Sequence, residues 1–289
     1  MDEIVCANTA FRYWRCPPQV RNLYPRLPNS EDGWRALSQA PFVTEVLKTP
    51  IIAVASPGCC NHHSGLRSTI RWEGASDTGT TTDTHLGFSV TNPLNTLFTM
   101  TRFVSQIDLV LAMYELCGWF SVFEPTPAVE MQLKIALKKN RNSSTQDLFE
   151  LGEGEDEIPW KRVYARTTVK VPANEGQTNN REDGREVTKL KGTSLWMRKP
   201  LIELSDLHRF AEKVKSQMWG KQFYDAAQQV IGIAASPLEV AGVLLLSRSR
   251  RLGGSGFRYV YLNDLTPLSE EAQSIAGQKV CYGDIVIVN

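Results

Sequence analysis

From Glu150 to Glu157 the chain reads Glu-Leu-Gly-Glu-Gly-Glu-Asp-Glu. A run of this charge and glycine content repels itself and stays hydrated, so it has no place inside a packed core. The apolar pattern is interrupted there, and a chain of 289 residues is long enough to bury core on both sides of the break. The expected organisation is an N-terminal α/β domain over 1–145, an acidic linker with a β-hairpin insertion over 146–200, and a C-terminal domain over 201–289.

The N-terminal part mixes helical and strand periods. Asn8 to Cys16 reads as a short helix stopped by Pro17-Pro18, with Asn8 or Thr9 as its N-cap. Val43 to Leu47 and Ile51 to Ala55 are β-prone runs, the second ending at Ser56-Pro57-Gly58. Leu66 to Trp72 and Gly87 to Val90 add two short strand candidates. From Asn92-Pro93 onward Leu94, Leu97, Phe98, Thr101 and Val104 fall on one helical stripe, and Ser105 caps a second helix that ends at Gly118. Pro127 to Lys139 is a further amphipathic candidate. The pattern predicts an α/β (α+β) class, with a small sheet covered by helices.

After the acidic run, Val163, Ala165, Thr167, Val169 and Val171 alternate with polar residues as a strand does, and Asn174 to Gly184 suits a hairpin tip. Beyond Leu201 the predicted order is helix (Leu204 to Val214), helix (Ser236 to Leu246), strand (Phe257 to Leu262), polar connection (Asn263 to Gln278) and strand (Val280 to Val288).

A net charge of +1 provides no global field toward nucleic acid or an anionic membrane, so any nucleic-acid contact must come from a local patch. The longest apolar runs, such as Val240 to Leu246, are far short of the roughly 20 residues that span a bilayer. The start, Met1 to Val5, is acidic and unlike a secretory signal, and the scattered cysteines lack a disulfide-framework spacing. A cytoplasmic protein with free, mostly buried thiols is expected.

Several segments then combine: Ala235-Ser236-Pro237-Leu238-Glu239, Arg251-Leu252-Gly253-Gly254-Ser255-Gly256-Phe257, Leu262-Asn263 and Cys281-Tyr282-Gly283-Asp284. Upstream, Ala10 to Arg15 with Pro17-Pro18, Thr91 to Leu94 and Tyr114 to Gly118 belong with them. Together they resemble a group of bacterial restriction-endonuclease-like proteins related to very-short-patch repair endonucleases and annotated near abortive-infection type IV antitoxins. The resemblance implies a partial restriction-endonuclease-like fold at the C-terminus. It also implies a glutamate on the first helix and an aspartate on the second core strand, which fall at Glu239 and Asp284. Such folds add a Glu-x-Lys pair on the next strand. Carboxylates of this kind hold Mg²⁺, which polarises the phosphodiester and acidifies the attacking water. Only Ile285 to Asn289 follow Asp284, without Glu-x-Lys. The implied catalytic and metal set is thus incomplete in this sequence, as in a truncated copy or a chain whose next strand lies beyond Asn289.

Each candidate also has a structural reading. Ser236-x-x-Glu239 is a capping box with Pro237 at the first helical position, and Asp284 can end a turn. Arg248, Arg250 and Arg251 suit phosphate contact beside a mobile Gly253–Gly256 loop, or complement the carbonyl end of a helix. Arg12 and Arg15, interleaved with Phe11, Tyr13 and Trp14, suit phosphates and bases, or are the solvated side of a helix that packs its aromatics. Cys59-Cys60-Asn61-His62-His63 lacks the spacing of known zinc sites. The functional expectation is a DNA-associated protein derived from a metal-dependent endonuclease, with duplex DNA as partner. The alternative is an antitoxin-like regulator or protein-interaction module with a protein partner, in which the acidic run meets a basic surface.

Overall fold

The computed structural model describes residues 4–27, 34–55, 63–72, 79–139, 160–171, 185–267, 269–276 and 280–288. The acidic run, the hairpin tip and Cys59 to His62 lie outside these residues. The described chain is α+β.

A five-stranded mixed sheet is built from β1 (Ile4–Val5), β2 (Ile51–Val54), β3 (Arg67–Ile70), β4 (Thr81–Asp83) and β5 (Ser89–Thr91), in the order β3-β2-β1-β5-β4. β1 is central although only two residues long. It pairs antiparallel with β2 through Val5 and Ala53, and parallel with β5 through Val5 and Val90. So short a strand carries no readable period, and only its burial between neighbours reveals it.

Helix α1 (Ala7–Arg15) leaves β1 at once, and its N-cap is Cys6 rather than Asn8 or Thr9. The Thr9 hydroxyl instead accepts the Ile52 amide of β2 at 2.9 Å. Trp14 Nε1 donates to the Thr91 carbonyl at 2.9 Å, which fixes the far end of α1 against the end of β5. The short α2 (Pro18–Arg21) and α3 (Trp34–Gln39) follow. Val43–Leu47, β-prone by composition, is a π-helical turn. Val43, Val46 and Leu47 are all buried there, so tertiary burial overrides strand propensity.

Helix α4 (Pro93–Met100) starts where the sequence places it, with Asn92 accepting the Asn95 amide at 2.9 Å. Helix α5 (Gln106–Cys117) begins at its Ser105 cap and ends at Gly118. Leu109, Val110 and the run from Ala112 to Cys117 are all buried, so α5 is wrapped on nearly every side, as an all-round apolar helix must be. β6 (Phe120–Val122) joins β7 (Lys161–Val171) and β8 (Arg185–Met197) in a second sheet of order β6-β8-β7, and α6 (Pro127–Lys139) lies between β6 and β7 in the chain.

In the last part α7 (Leu204–Val214) is followed by α8 (Gly220–Ala227), a helix the sequence reading lacks. α8 opens after Trp219 at a left-handed φ of 69°, and a Cβ on Gly220 would collide with the Val214 carbonyl. Next come α9 (Pro237–Ser247), β9 (Val260–Pro267), α10 (Glu270–Ala276) and β10 (Val280–Ile287), with β9 and β10 antiparallel. The segment from Asn263 to Gln278 therefore holds the second half of β9 and α10, not a plain connection.

One apolar cluster runs through both flanks of the acidic segment. It joins Phe11, Leu97, Leu109 and Met113 to Leu207, Phe223, Val240 and Val260. Phe98, Phe210 and Phe223 meet edge to face, with centroids 5.7–6.1 Å apart. A second cluster holds Val5, Tyr13, Phe42, Leu47, Phe88 and Val129. Among the described residues no helix is long and apolar enough to cross a membrane.

Candidate nucleic-acid interface

Helix α9 is defined at its start by polar side chains. The Ser236 hydroxyl accepts the Glu239 amide at 3.3 Å and donates to Glu239 Oε1 at 2.8 Å. Glu239 Oε2 accepts the Ala235 amide at 2.8 Å and the side-chain amide of Asn263 at 2.9 Å. The capping box thus exists, but its return bond goes one residue further back than the simplest motif. Asn263, at a left-handed φ of 50°, also donates to the Ile233 carbonyl at 2.9 Å and so clamps β9 to the entry of α9. Only its place in the Leu262-Asn263 motif marked Asn263 in the sequence.

Asp284 sits exposed on β10, between Gly283, paired with Asp264, and Ile285, paired with Leu262. It takes no part in the Glu239 network. Among the described residues no three of His, Cys, Asp and Glu converge.

The C-terminal end of α9 has a different character. Its last carbonyls are taken up by the glycine loop: Ser255 N donates to Leu245 O at 2.7 Å, Phe257 N to Leu246 O at 2.9 Å, and Gly256 N to Arg248 O at 2.9 Å. The loop expected to be mobile is therefore pinned along its length. Gly254 makes this possible, because a Cβ there would collide with the Arg248 carbonyl oxygen.

This fold-back projects positive charge. Arg248 caps α9 half-buried, Arg250 and Arg251 lie exposed on a single 3₁₀ turn (Arg250–Leu252), and Arg258 follows the loop, also exposed. From Val240 to Asn263 there is no Asp or Glu. Between the end of α8 and this loop opens a cleft of about 460 Å³, whose walls include Gln228, Gln229, Arg248, Leu252, Phe257 and Arg258. Arg248 Nε and Gln229 Oε1, on residues of its wall, are buried without a hydrogen-bond partner among the described residues. The sequence marked Arg248, Arg250 and Arg251; Arg258 and the two glutamines become visible only when the loop folds back.

Arg12 and Arg15 lie elsewhere, on a smaller cleft of about 170 Å³ shared with Glu45, Lys48, Phe123 and Glu124. Arg12 donates to the Leu47 carbonyl at 2.7 Å, and burial, followed by the charge of Arg15, lowers its pKa. Arg15 makes a two-pronged bond to Glu115, both prongs at 2.8 Å, and stacks over Phe11 at 4.9 Å. Its guanidinium is thus held by a buried carboxylate. His63, the last residue of the cysteine–histidine segment, lies with Nδ1 2.7 Å from Ser68 Oγ. Comparison with protein-family models, with curated proteins and with solved structures yields no match to this chain.

Proposed function

We propose that this chain is a DNA-associated protein of restriction-endonuclease-like descent that holds the phosphate backbone through Arg248, Arg250, Arg251 and Arg258. The observation that carries the reading is the concentration of these arginines around the pinned loop and one cleft, in a stretch free of acidic residues. A chain of +1 net charge gains affinity for DNA only through such a local patch. In this reading the C-terminal unit binds rather than cuts, because Glu239 is taken up by the Ala235 amide, the Ser236 hydroxyl and Asn263 at the entry of α9. A protein-interaction role is the second reading. It is favoured by Leu238 and Leu245, which stand 82% and 62% exposed on the outer side of α9.

The test is fluorescence anisotropy of a labelled blunt duplex. The native chain should bind, and a triple Arg248→Ala, Arg250→Ala, Arg251→Ala variant should bind about tenfold or more weakly at low salt. Equal binding by the two proteins would contradict the reading. Cleavage of the duplex in Mg²⁺ or Mn²⁺, lost in Glu239→Ala and Asp284→Ala, would overturn the view that the site is incomplete.

A further inference from the structure

We infer that the cleft beside the pinned loop receives one unpaired nucleotide of the bound nucleic acid; the inference rests on the DNA-binding reading and names what the cleft adds to it. At about 460 Å³ the cleft has the size of a small-molecule site rather than of a groove that cradles a duplex. Duplex grooves are read by elements that protrude, and here the surface is concave.

The walls divide the labour a nucleotide requires. Phe257, 40% exposed, and Leu252, 57% exposed, offer apolar surface against which a base ring can lie. Arg248 and Arg258 supply cations for the attached phosphate. Gln228, exposed at the cleft, supplies an amide, and Gln229 supplies one once it leaves the Asp225 carbonyl; amides hydrogen-bond the edge of a base only when that edge is released from its partner strand. Gln229 Oε1 and Arg248 Nε, on two residues that line the cleft, are buried and without a partner among the described residues, and buried polar groups in folded proteins rarely lack one. A turn of either side chain into the cleft gives it a partner in a base edge or a phosphate oxygen. A fully paired duplex meets the arginines and leaves the aromatic wall and the amides unused.

The experiment compares three labelled probes on the full chain at one salt concentration: a blunt duplex, the same duplex with a short single-stranded tail, and that duplex with an abasic tail of equal length. The expected result is a tailed duplex bound about tenfold more tightly than the blunt one, with the abasic tail giving no such gain. Phe257→Ala should shrink the ratio of tailed to blunt affinity. An Arg250→Ala, Arg251→Ala variant should weaken binding while leaving that ratio in place. Equal, measurable affinity for tailed and blunt probes overturns the nucleotide cleft and leaves the DNA-binding reading standing. An abasic tail as good as the base-bearing one also overturns it, because charge alone then accounts for the gain. Binding to none of the probes overturns both. The probe comparison uses the unaltered protein, so it decides the matter even if a variant does not fold.

Discussion

Glu115, 4% exposed in α5, accepts hydrogen bonds from Arg15 Nε and a terminal Arg15 nitrogen, from the Ser121 hydroxyl at 3.0 Å and from the Val122 amide at 2.9 Å. Its own carbonyl accepts the buried Arg198 guanidinium at 2.6 Å. Breaking a buried pair leaves the surviving charge uncompensated, so Glu115→Ala should lower the unfolding free energy by about 3–5 kcal/mol, read from urea denaturation. Little of this was legible in the sequence. Arg15 lies a hundred residues from Glu115, and beside Phe11, Tyr13 and Trp14 it suited nucleic acid as well as it suited a salt bridge. Buried acids and thiols also set a pH dependence. Burial pushes the Cys117 thiol up to about 12 and the Tyr114 phenol likewise, and raises Cys6 and Cys16. These groups stay neutral in the folded chain while they ionise in the unfolded one, from about pH 8.5 for a thiol. Their contribution is complete below that pH and is lost as pH rises toward 12. Arg198, lowered to about 10 by burial, acts oppositely, and only above pH 10. The urea midpoint should therefore fall between pH 8.5 and 10, and Cys117→Ala should lessen the fall; a flat profile contradicts this.

At the level of elements, the segment from Ser236 to Leu262 joins a helix cap, a pinned loop and a strand through backbone bonds that no side-chain pattern announces. Ser236-x-x-Glu239 was legible as a cap because the motif is local, whereas the loop's attachment to Leu245, Leu246 and Arg248 depends on carbonyls whose direction only the fold sets. The same distinction explains α8 and the turn at Val43–Leu47. The first begins at a glycine after a left-handed tryptophan, and the second is rich in β-branched residues yet helical, with Val43, Val46 and Leu47 buried. The loop yields its own prediction. Gly254→Ala removes no charge, but its Cβ meets the Arg248 carbonyl, so the loop must move and the cleft must deform. Affinity for duplex DNA should fall while far-UV circular dichroism stays near that of the native chain. Unchanged affinity would show that the arginines act independently of the loop's fold-back.

Across the whole molecule, the mixed α+β character was legible from the periodicities, since helices at Pro93, Ser105, Pro127 and Pro237 announce themselves by caps and prolines. Which faces meet was not. The acidic run reads as an organisational break, yet Phe98 of α4 packs against Phe210 and Phe223 of α7 and α8. Phe223 is fully buried, and Phe223→Ala should cost about 3–5 kcal/mol and shift circular dichroism and tryptophan fluorescence together in a single transition. Two separated transitions would mean that the shared cluster does not couple the flanks. The functional claim also belongs to the whole molecule, because a nearly neutral chain binds DNA only where its fold gathers charge. The measurement that tests it most directly is the affinity for a blunt duplex across a series of salt concentrations, for the native chain and for the Arg248→Ala, Arg250→Ala, Arg251→Ala variant. The account predicts affinity that falls steeply with salt, and a variant whose slope is shallower by about 0.9 for each phosphate it no longer neutralises. The same slope and affinity in both proteins would contradict it.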